Sequence, residues 1–426
     1  MSHLDAMQPT EPSDEPLRRD LSDYQRLAGI VGAGGLGLAI LAALVLGSGE
    51  REAFLHSYIW AYAFWLGLAL GCGVICMIHN LTGGRWGQVG KRIWLAGNGT
   101  MVTMAVLSLP LLIGTYFGYV WLWADPKVAA TTFAEMPHKH AFFNPELVYL
   151  RGVFYFLIWI GTAYMLARAQ RRIEATNSYP VRWFYARFSA GCIVLYVITV
   201  TFAIIDWVMS LEPYYYSTMY ALIYAVGQAL SAFALAIVVV TYLMRTKPYQ
   251  GKLTIDQYAD LGTMTFGFMV LWAYTAFFQL LISWMGNLQN EMRWYVVRNI
   301  GFWHFLAAML IIFQFCAPFV LLLQRPIKRN PCILLWIAVG LLVMRLVDLY
   351  WLIKPAFKVG ERVSWLDPVL LVGIGGVFVW RFLGKLQSGP LLPPPLLPGE
   401  HPPTGHGHAA FSHAAALAKA QGVQQV

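Results

Sequence analysis

Charged side chains are scarce in this sequence. Asp, Glu, Lys and Arg together make up 12% of the 426 residues, whereas ordinary soluble domains carry about 25%. Hydrophobic residues account for 58%, which is more apolar surface than a soluble fold can bury in its core. This shortage of charge argues against the soluble protein classes and favours a protein embedded in a membrane.

Residues that attach redox cofactors are also scarce. Of the 5 cysteines, none lies in a C-x-x-C-H haem-attachment motif or in an iron–sulfur run. A membrane b-type haem needs histidine pairs that face each other across a helix bundle, and only His56 and His304 have similar predicted depths. We therefore expect no covalently bound cofactor, no metal site and no redox centre in this chain.

The excess of basic residues does not indicate a nucleic-acid partner. The formal net charge is +9, but Lys and Arg lie in short segments between apolar stretches, where they set the orientation of membrane helices. The first residues are polar and acidic, so they do not resemble a cleaved secretory signal.

Long apolar stretches make up most of the chain. A helix that spans a bilayer needs about 20 mostly apolar residues, and ten stretches reach that length. Their predicted bounds are 27–47, 54–79, 93–121, 148–167, 183–209, 217–244, 258–285, 297–323, 332–353 and 364–384. Thr254 and Gln257 predict a capping box at the start of the seventh stretch. The sequence thus predicts an all-α integral membrane protein with ten transmembrane helices.

The distribution of basic residues predicts the orientation. Lys and Arg are much more frequent in the segments on the same side as the N-terminus than in those on the other side, and basic segments face the cytoplasm. We therefore expect both termini in the cytoplasm. Residues 1–26 form the predicted N-terminal cytoplasmic segment.

The predicted cytoplasmic tail, 387–426, is rich in Pro and then in Ala and His. It cannot bury a core, so we expect it to be extended or disordered. Its histidines could bind a metal, but a solvated tail is the simpler interpretation; they are His401, His406, His408 and His413.

The longest predicted outer loop, about 122–147, is a candidate docking surface for an extracytoplasmic partner. Its ionisable residues of interest are Asp125, Glu135, His138, His140 and Glu146.

Ionisable and polar residues inside the apolar stretches are the candidates for function. They are expensive in a bilayer, so they usually face protein or water and mark ion or substrate paths. Most lie near the predicted outer ends of their stretches: His56, Arg151, Asp206, Glu212, Gln279, Ser283, Arg298, His304, Arg345 and Asp348. Asp260 lies near the predicted inner end of the seventh stretch.

The predicted helix geometry gives the spacing of two pairs of these candidates. Gln279 and Ser283 end the seventh helix one helical turn apart. Arg298 opens the predicted eighth helix, and His304 then lies about 9 Å deeper by helical rise.

Structural interpretations stay open for several candidates. Arg345 and Asp348 share a helix face and either form a packing ion pair or belong to the path. Asp260 either complements a helix dipole or admits protons from the cytoplasm.

Asp206 has no partner on its own helix. It must find Arg151, His56 or water across a helix interface, or stay protonated because burial raises the pKa of a carboxyl group. A carboxyl group in that state could accept or relay a proton; the structural alternative is that Asp206 caps the helix end before Pro213.

Three sequence motifs resemble a known family of membrane subunits. The motifs are Asp206-Trp-Val-Met-Ser-Leu-Glu-Pro213 followed by Ser217-Thr218; Ile282-Ser-Trp-Met-Gly-Asn-Leu288 with Trp294-Tyr295; and Arg345-Leu-Val-Asp-Leu-Tyr-Trp351 with Pro355-Ala-Phe357. Pro318 and Lys328-Arg-Asn330 also fit. Together they resemble the polysulfide-reductase (NrfD-like) membrane subunits of alternative complex III, in particular the shorter of the two such subunits.

The resemblance implies an architecture. Two four-helix bundles, 54–209 with helices 2–5 and 217–353 with helices 6–9, would be flanked by outer helices at 27–47 and 364–384. It also implies a location in the bacterial inner (cytoplasmic) membrane.

The resemblance also implies a function. The family works in menaquinol oxidation, so this chain would contribute to a quinol pocket or a proton path. The implied partners are a paralogous NrfD-like subunit, an iron–sulfur subunit, multihaem cytochrome c subunits, small membrane-anchored subunits and lipids. Haem and iron–sulfur clusters would lie in those partners, and menaquinone is the cofactor this chain would contact. Gln289-Asn290-Glu291 and Thr263 depart from the family pattern.

Two other functions stay open. Ten helices in two similar halves would suit a stand-alone secondary transporter, although the ionisable residues lie near one surface instead of the midplane. The chain could also be a purely structural scaffold for partner subunits.

Overall fold

The protein is built from helices. The computed structural model describes residues 15–45, 48–116, 120–125, 129, 137–176, 179–246, 254–357 and 363–389, and these ranges contain no strand. Ten helices in them are long and apolar enough to cross a membrane. We label them α1 Glu15–Val45, α2 Arg51–Thr82, α3 Arg85–Thr115, α4 Pro145–Thr176, α5 Val181–Leu211, α6 Thr218–Arg245, α7 Ile255–Gly286, α8 Phe302–Leu323, α9 Pro331–Ala356 and α10 Leu366–Gln387. This architecture confirms the predicted all-α class with ten helices of membrane-spanning length.

Shorter helices lie between the long ones. They are Pro137–Phe142 before α4, Gln289–Arg298 between α7 and α8, and Arg325–Lys328 before α9. We call the side where α5 ends and α6 begins the predicted outer side, and the opposite one the predicted inner side.

Local sequence signals start two of the long helices. The Thr254 hydroxyl accepts a hydrogen bond from the Gln257 backbone N–H at 3.3 Å, and the Gln257 side chain accepts one from the Thr254 N–H at 3.1 Å. The predicted capping box of α7 is therefore confirmed. At α9, the Asn330 side chain accepts from two backbone N–H groups just before Pro331.

The prediction that the first helix begins at residue 27 was wrong. α1 begins at Glu15, so the second half of the predicted cytoplasmic segment 1–26 is helical. The prediction used apolar content alone, whereas the additional turns are polar. In these turns Arg18 donates a hydrogen bond to the Gln387 carbonyl at the end of α10, at 2.6 Å. Residues 1–14 and the tail beyond residue 389, with its histidines, lie outside the described residues.

The predicted bounds of the third and eighth helices were also wrong. α3 consists of the pieces Arg85–Asn98, Met101–Leu107 and Leu109–Tyr116. Arg298 does not open α8, because it ends the separate helix Gln289–Arg298.

Gly301 causes the break before α8. Its backbone has a φ of 54°, a conformation that disfavours side-chain-bearing residues, and α8 begins only at Phe302. The inference that His304 lies one continuous helical rise from Arg298 was therefore wrong. Further along, α8 contains a π-helical segment, Leu310–Cys316.

α2 and α6 are the most buried of the ten helices and pack directly against each other. Gly71 of α2 makes this possible, because a Cβ atom there would lie 2.1 Å from the Gln228 carbonyl oxygen of α6. Small residues allow membrane helices to approach so closely. α2 also contacts α3 and α5, and α4 contacts α3 and α5. In the second half of the chain, α6 contacts α7 and α9, and α8 contacts α7 and α9.

α1 and α10 form a separate closely packed pair. A Cβ atom on Gly35 would lie 2.9 Å from the Cα atom of Gly373. The pair is attached to the rest of the molecule through α2, where the Trp65 indole N–H donates to the Leu371 carbonyl at 3.0 Å.

Candidate functional site

A cavity of about 930 Å³ lies among α6, α7, α8, α9 and the helix Gln289–Arg298. It extends from Gln279 at the predicted outer end of α7 to Phe315 in the middle of α8. Its walls are mainly aromatic and aliphatic; the aromatic lining residues include Tyr215, Tyr220, Trp272, Phe277, Trp294, Tyr295 and Trp351. Four of the predicted candidates also line it: Gln279, Arg298, His304 and Asp348.

Arg298 anchors one wall of this cavity. Its guanidinium donates to the backbone carbonyl oxygens of Trp294 at 3.1 Å, Trp351 at 3.1 Å and Leu352 at 2.8 Å. It also donates to Glu212 Oε1 at 2.5 Å. Arg298 is 1% exposed, and its guanidinium carbon lies 3.7 Å from the centre of the Trp294 ring. These contacts tie α9, the Gln289–Arg298 helix and the α5–α6 connection together.

Gln279 is the centre of a second hydrogen-bond network. Its Oε1 accepts from the Ser217 hydroxyl at 2.6 Å, and its Nε2 donates to Ser283 at 3.2 Å and to the Tyr215 hydroxyl at 3.4 Å. The predicted proximity of Gln279 and Ser283 is confirmed. The Tyr215 ring stacks on Trp294 with centres 4.8 Å apart, which connects this network to the Arg298 wall.

Two tyrosines near the predicted outer side keep their phenolic protons. Burial raises the pKa of both Tyr215 and Tyr295. Both side chains line the cavity and are therefore neutral hydrogen-bonding groups at physiological pH.

His304 lies in the first turn of α8. The break at Gly301 brings its ring back towards the preceding segment, so that Nδ1 lies 2.7 Å from Asn299 Oδ1. When the Asn299 oxygen accepts this bond, Nδ1 carries the hydrogen and Nε2 is the nitrogen that can accept a proton.

Asp348 brings a carboxylate to the cavity wall. Arg345 donates one hydrogen bond to Asp348 and another to the Tyr224 carbonyl at 3.1 Å. The predicted ion pair on one face of α9 is therefore confirmed. Asp348 is 3% exposed but still lines the cavity, so the pair contacts an interior space.

Two indole N–H groups in the cavity wall lack hydrogen-bond acceptors in the described part of the chain. They are the buried Nε1 atoms of Trp272 and Trp351. Trp272 approaches Asp348 without reaching normal hydrogen-bond geometry. A buried donor without a partner costs roughly 1–3 kcal/mol, so a ligand oxygen in the cavity would be stabilised by these groups.

The sequence matches no known family model and no curated protein. The structure brings the three motifs to the same side of the molecule. The first contains Asp206 and Glu212, the second contains Ser283, and the third contains Arg345 and Asp348.

In the first half of the chain, Asp206 is held by two donors. Arg151 bonds both carboxylate oxygens at 2.8 Å, and the Tyr155 hydroxyl donates to Oδ2 at 2.8 Å. The expectation that Asp206 finds Arg151 across a helix interface is confirmed. A cavity of about 440 Å³ lies nearby among α2–α6, but it is lined mainly by apolar residues, and neither Asp206 nor Arg151 is among them.

His56 lies apart from both cavities. Its ring stacks on Phe357 with centres 3.8 Å apart. The same region holds a network that sequence analysis missed, in which Lys354 Nζ lies 2.5 Å from Asp367 Oδ1 and the Tyr350 hydroxyl donates to Asp367 at 3.2 Å. Asp367 was not predicted as a site residue because it lies in the first turn of α10, before the apolar part of that helix. An acidic residue is common at a helix N-terminus and needs no functional explanation.

Asp260 lies at the opposite end of α7 from the cavity. Its carboxylate is 3.9 Å from Arg85 Nε, and both side chains are well exposed. Asp256, one turn earlier, pairs with Arg329. The structure therefore does not bring Asp260 together with the outer-side candidates.

The aromatic part of the site was not predicted from the sequence. Trp272, Trp294 and Trp351 line the cavity, but tryptophans near helix ends are typical of lipid–water boundaries. Their grouping around Arg298 and Asp348 depends on helix packing. The available signal was the position of Trp294 and Trp351 within the motifs.

Proposed function

We propose that this chain is a membrane subunit, without a redox centre of its own, of a menaquinol:electron acceptor oxidoreductase, and that the cavity among α6–α9 binds the menaquinol ring. The subunit would be of the shorter, ActF-type kind in the NrfD-like family. The observation that carries the proposal is an apolar, aromatic-walled cavity with a few polar groups at the predicted outer side.

The size and lining of the cavity support a quinol ligand. Small-molecule sites usually have volumes of about 300–1,000 Å³ and are mostly apolar with a few polar groups that fix orientation. The volume of about 930 Å³ is within this range. Exposed lining residues such as Phe277 and Ile311 would let an isoprenoid tail continue into the bilayer.

The polar groups support proton release from a quinol. Oxidation of menaquinol to menaquinone releases two electrons and two protons. His304 Nε2 and the Asp348 carboxylate are the proton acceptors in the cavity lining, while the indole N–H of Trp272 and the amide of Gln279 can bind the ring oxygens. The electrons would pass to haem or iron–sulfur centres in partner subunits.

The proposal includes a cellular setting. The chain would lie in the bacterial inner membrane with both termini in the cytoplasm. Its partners would be the paralogous NrfD-like subunit, the iron–sulfur subunit, multihaem cytochrome c subunits and small membrane-anchored subunits. Lys139, which donates to the Pro213 carbonyl at 2.6 Å, connects part of the proposed docking loop to the α5–α6 connection.

The proposal also includes two four-helix bundles, α2–α5 and α6–α9, flanked by α1 and α10. The contacts of each helix with its neighbours support this grouping. The cavity with polar groups would then belong to the second bundle, and α2 and α6 would join the two.

A scaffold function is the second candidate. It is favoured by the complete pairing of Arg151 with Asp206, Arg298 with Glu212 and Arg345 with Asp348, since paired charges hold helices together without any chemistry.

His304→Ala separates these two functions. The complex should be purified in mild detergent, where haem-containing partners should accompany the chain. We expect turnover with menaquinol to fall by about 100-fold, the range for loss of a general base, while the haem content stays unchanged. Arg293→Gln, which removes an exposed cation from the neighbouring helix Gln289–Arg298, serves as the control and should leave turnover unchanged.

Wild-type turnover in the His304→Ala complex would favour the scaffold. A colourless chain that purifies alone and transports a solute would contradict both candidates.

A further inference from the structure

Basic side chains from four helices converge at the predicted inner side, far from the cavity. They are Arg18 of α1, Arg92 of α3, Arg171 of α4, and Arg381 and Lys385 of α10. The packing explains their proximity, because α3 contacts both α4 and α10, and α10 packs along α1. We call this set the basic cluster.

The charges of the basic cluster are close enough to repel one another. Arg92 interacts electrostatically with Arg18 and Arg171, and Lys385 interacts with Arg171 and Arg381. Glu174 is the nearby carboxylate that acts on Arg92, but it accepts a hydrogen bond from Gln170. Among the described residues, no member of the cluster forms a direct ion pair with a carboxylate.

Several of these side chains are held in place and partly buried. Arg18 donates to the carbonyl oxygens of Gln387 at 2.6 Å and Gly389 at 3.2 Å. Arg92 Nη2 donates to the Ser388 hydroxyl at 3.5 Å. The Nε atom of Arg92 is buried and has no hydrogen-bond partner in the described ranges. A buried cationic donor without an acceptor, beside other cations, indicates that an anion completes this site.

We propose that the basic cluster binds the phosphate headgroup of an anionic phospholipid. The position favours a lipid over a free anion, because the cluster lies at the ends of membrane-spanning helices, at the level of the headgroups. Basic pockets between transmembrane helices on the cytoplasmic side bind such headgroups. Tyr164 on α4 is exposed and lies two helical turns from Arg171 on the same helix face, so an acyl chain can pack below the headgroup.

The test uses the full chain in nanodiscs that contain phosphatidylcholine and phosphatidylglycerol in equal amounts. Lipids that remain bound after release are identified by native mass spectrometry. We expect the wild-type chain to retain phosphatidylglycerol selectively. Arg92→Gln combined with Lys385→Gln should weaken its affinity on the order of 30-fold, because each basic residue near the surface contributes about 1 kcal/mol.

Arg325→Gln is the matched control. It removes an exposed cation from the same predicted side, at the α8–α9 turn, and should retain phosphatidylglycerol as the wild type does. Equal loss of lipid in this variant would overturn the proposal, since general surface charge would then explain the selectivity.

Three further measurements do not depend on the folding of the double variant. Equal retention of both lipids by the wild-type chain would overturn the proposal. So would a rise in thermal stability with millimolar inorganic phosphate as large as that with phosphatidylglycerol, because the site would then bind a free anion. Arg171→Gln changes an exposed side chain and should weaken retention in the same direction.

Discussion

Carboxylates near the predicted outer side pair with arginines; Asp206 and Asp348 are buried, and Glu212 is partly buried. Asp206 bonds Arg151 and Glu212 bonds Arg298 across helix interfaces, while Asp348 bonds Arg345 within α9. In a medium without water, removing one partner leaves an uncompensated charge, which costs about 3–5 kcal/mol. These ion pairs therefore help to keep the helices together.

Arg298→Gln tests this cost. The substitution removes the charge that Glu212 pairs with and several donors to backbone carbonyls, so we expect the free energy of unfolding to fall by about 3 kcal/mol. Unfolding of the purified chain in detergent, followed by tryptophan fluorescence, would measure it.

The comparison is Arg329→Gln, which breaks the exposed pair with Asp256. Exposed pairs contribute about 0–1 kcal/mol, so this variant should be nearly as stable as the wild type. Equal losses in both variants would show that burial does not decide the strength of these pairs.

Trp272→Phe tests the indole donors of the cavity. Trp272 is 7% exposed, and phenylalanine removes both the N–H and part of the buried indole ring, so the stability without ligand should fall by about 1–2 kcal/mol through lost packing. If the donor binds a quinone oxygen, the affinity for a menaquinone analogue should fall about 5- to 10-fold, the value of one hydrogen bond. Unchanged affinity, measured by titration of the purified complex, would remove Trp272 from the binding site.

At the scale of the helices, the close contact of α2 with α6 organises the molecule. These two helices are the most buried, and their approach depends on Gly71 facing the Gln228 carbonyl. Any side chain at residue 71 must push the helices apart.

Gly71→Ala should therefore destabilise the protein by about 1–3 kcal/mol, the usual cost of overpacking. Gly37→Ala in α1 is the control, because a Cβ atom there would have no neighbour within 4 Å, and alanine favours helices over glycine. Thermal unfolding of the two variants in the same detergent would compare them. A Gly71→Ala protein as stable as the wild type would contradict this prediction, because α2 and α6 could then move apart without loss of stability.

The sequence predicts the number of long helices better than it predicts where each helix begins and ends. Ten apolar stretches of bilayer length predict ten helices, because few other arrangements satisfy the backbone in lipid. The polar start of α1 and the break at Gly301 carry no such signal, so the bounds at Glu15 and Phe302 were missed. Thr254 and Gln257 were predicted correctly because a capping box involves only local residues.

The candidate site was predictable to a smaller extent. Arg345 and Asp348 are three residues apart on one helix, so their pairing could be inferred from spacing. Glu212 and Arg298 are distant in sequence, and their pairing depends on how the helices pack. The grouping of Trp272 with Asp348 in one cavity also depends on how the helices pack.

For the whole molecule, the two halves of the chain differ in their interiors. The cavity among α2–α6 is lined mainly by apolar residues, whereas the cavity among α6–α9 includes Gln279, Arg298, His304 and Asp348. The proposed quinol site therefore belongs to the second half.

A cryo-electron microscopy map of the assembled membrane complex, prepared with a tightly binding menaquinone analogue, tests this account most directly. The account predicts ring density between α7 and α8, within hydrogen-bonding distance of His304 or Trp272. Ring density in another subunit, with only lipid chains filling the cavity of this chain, would contradict it.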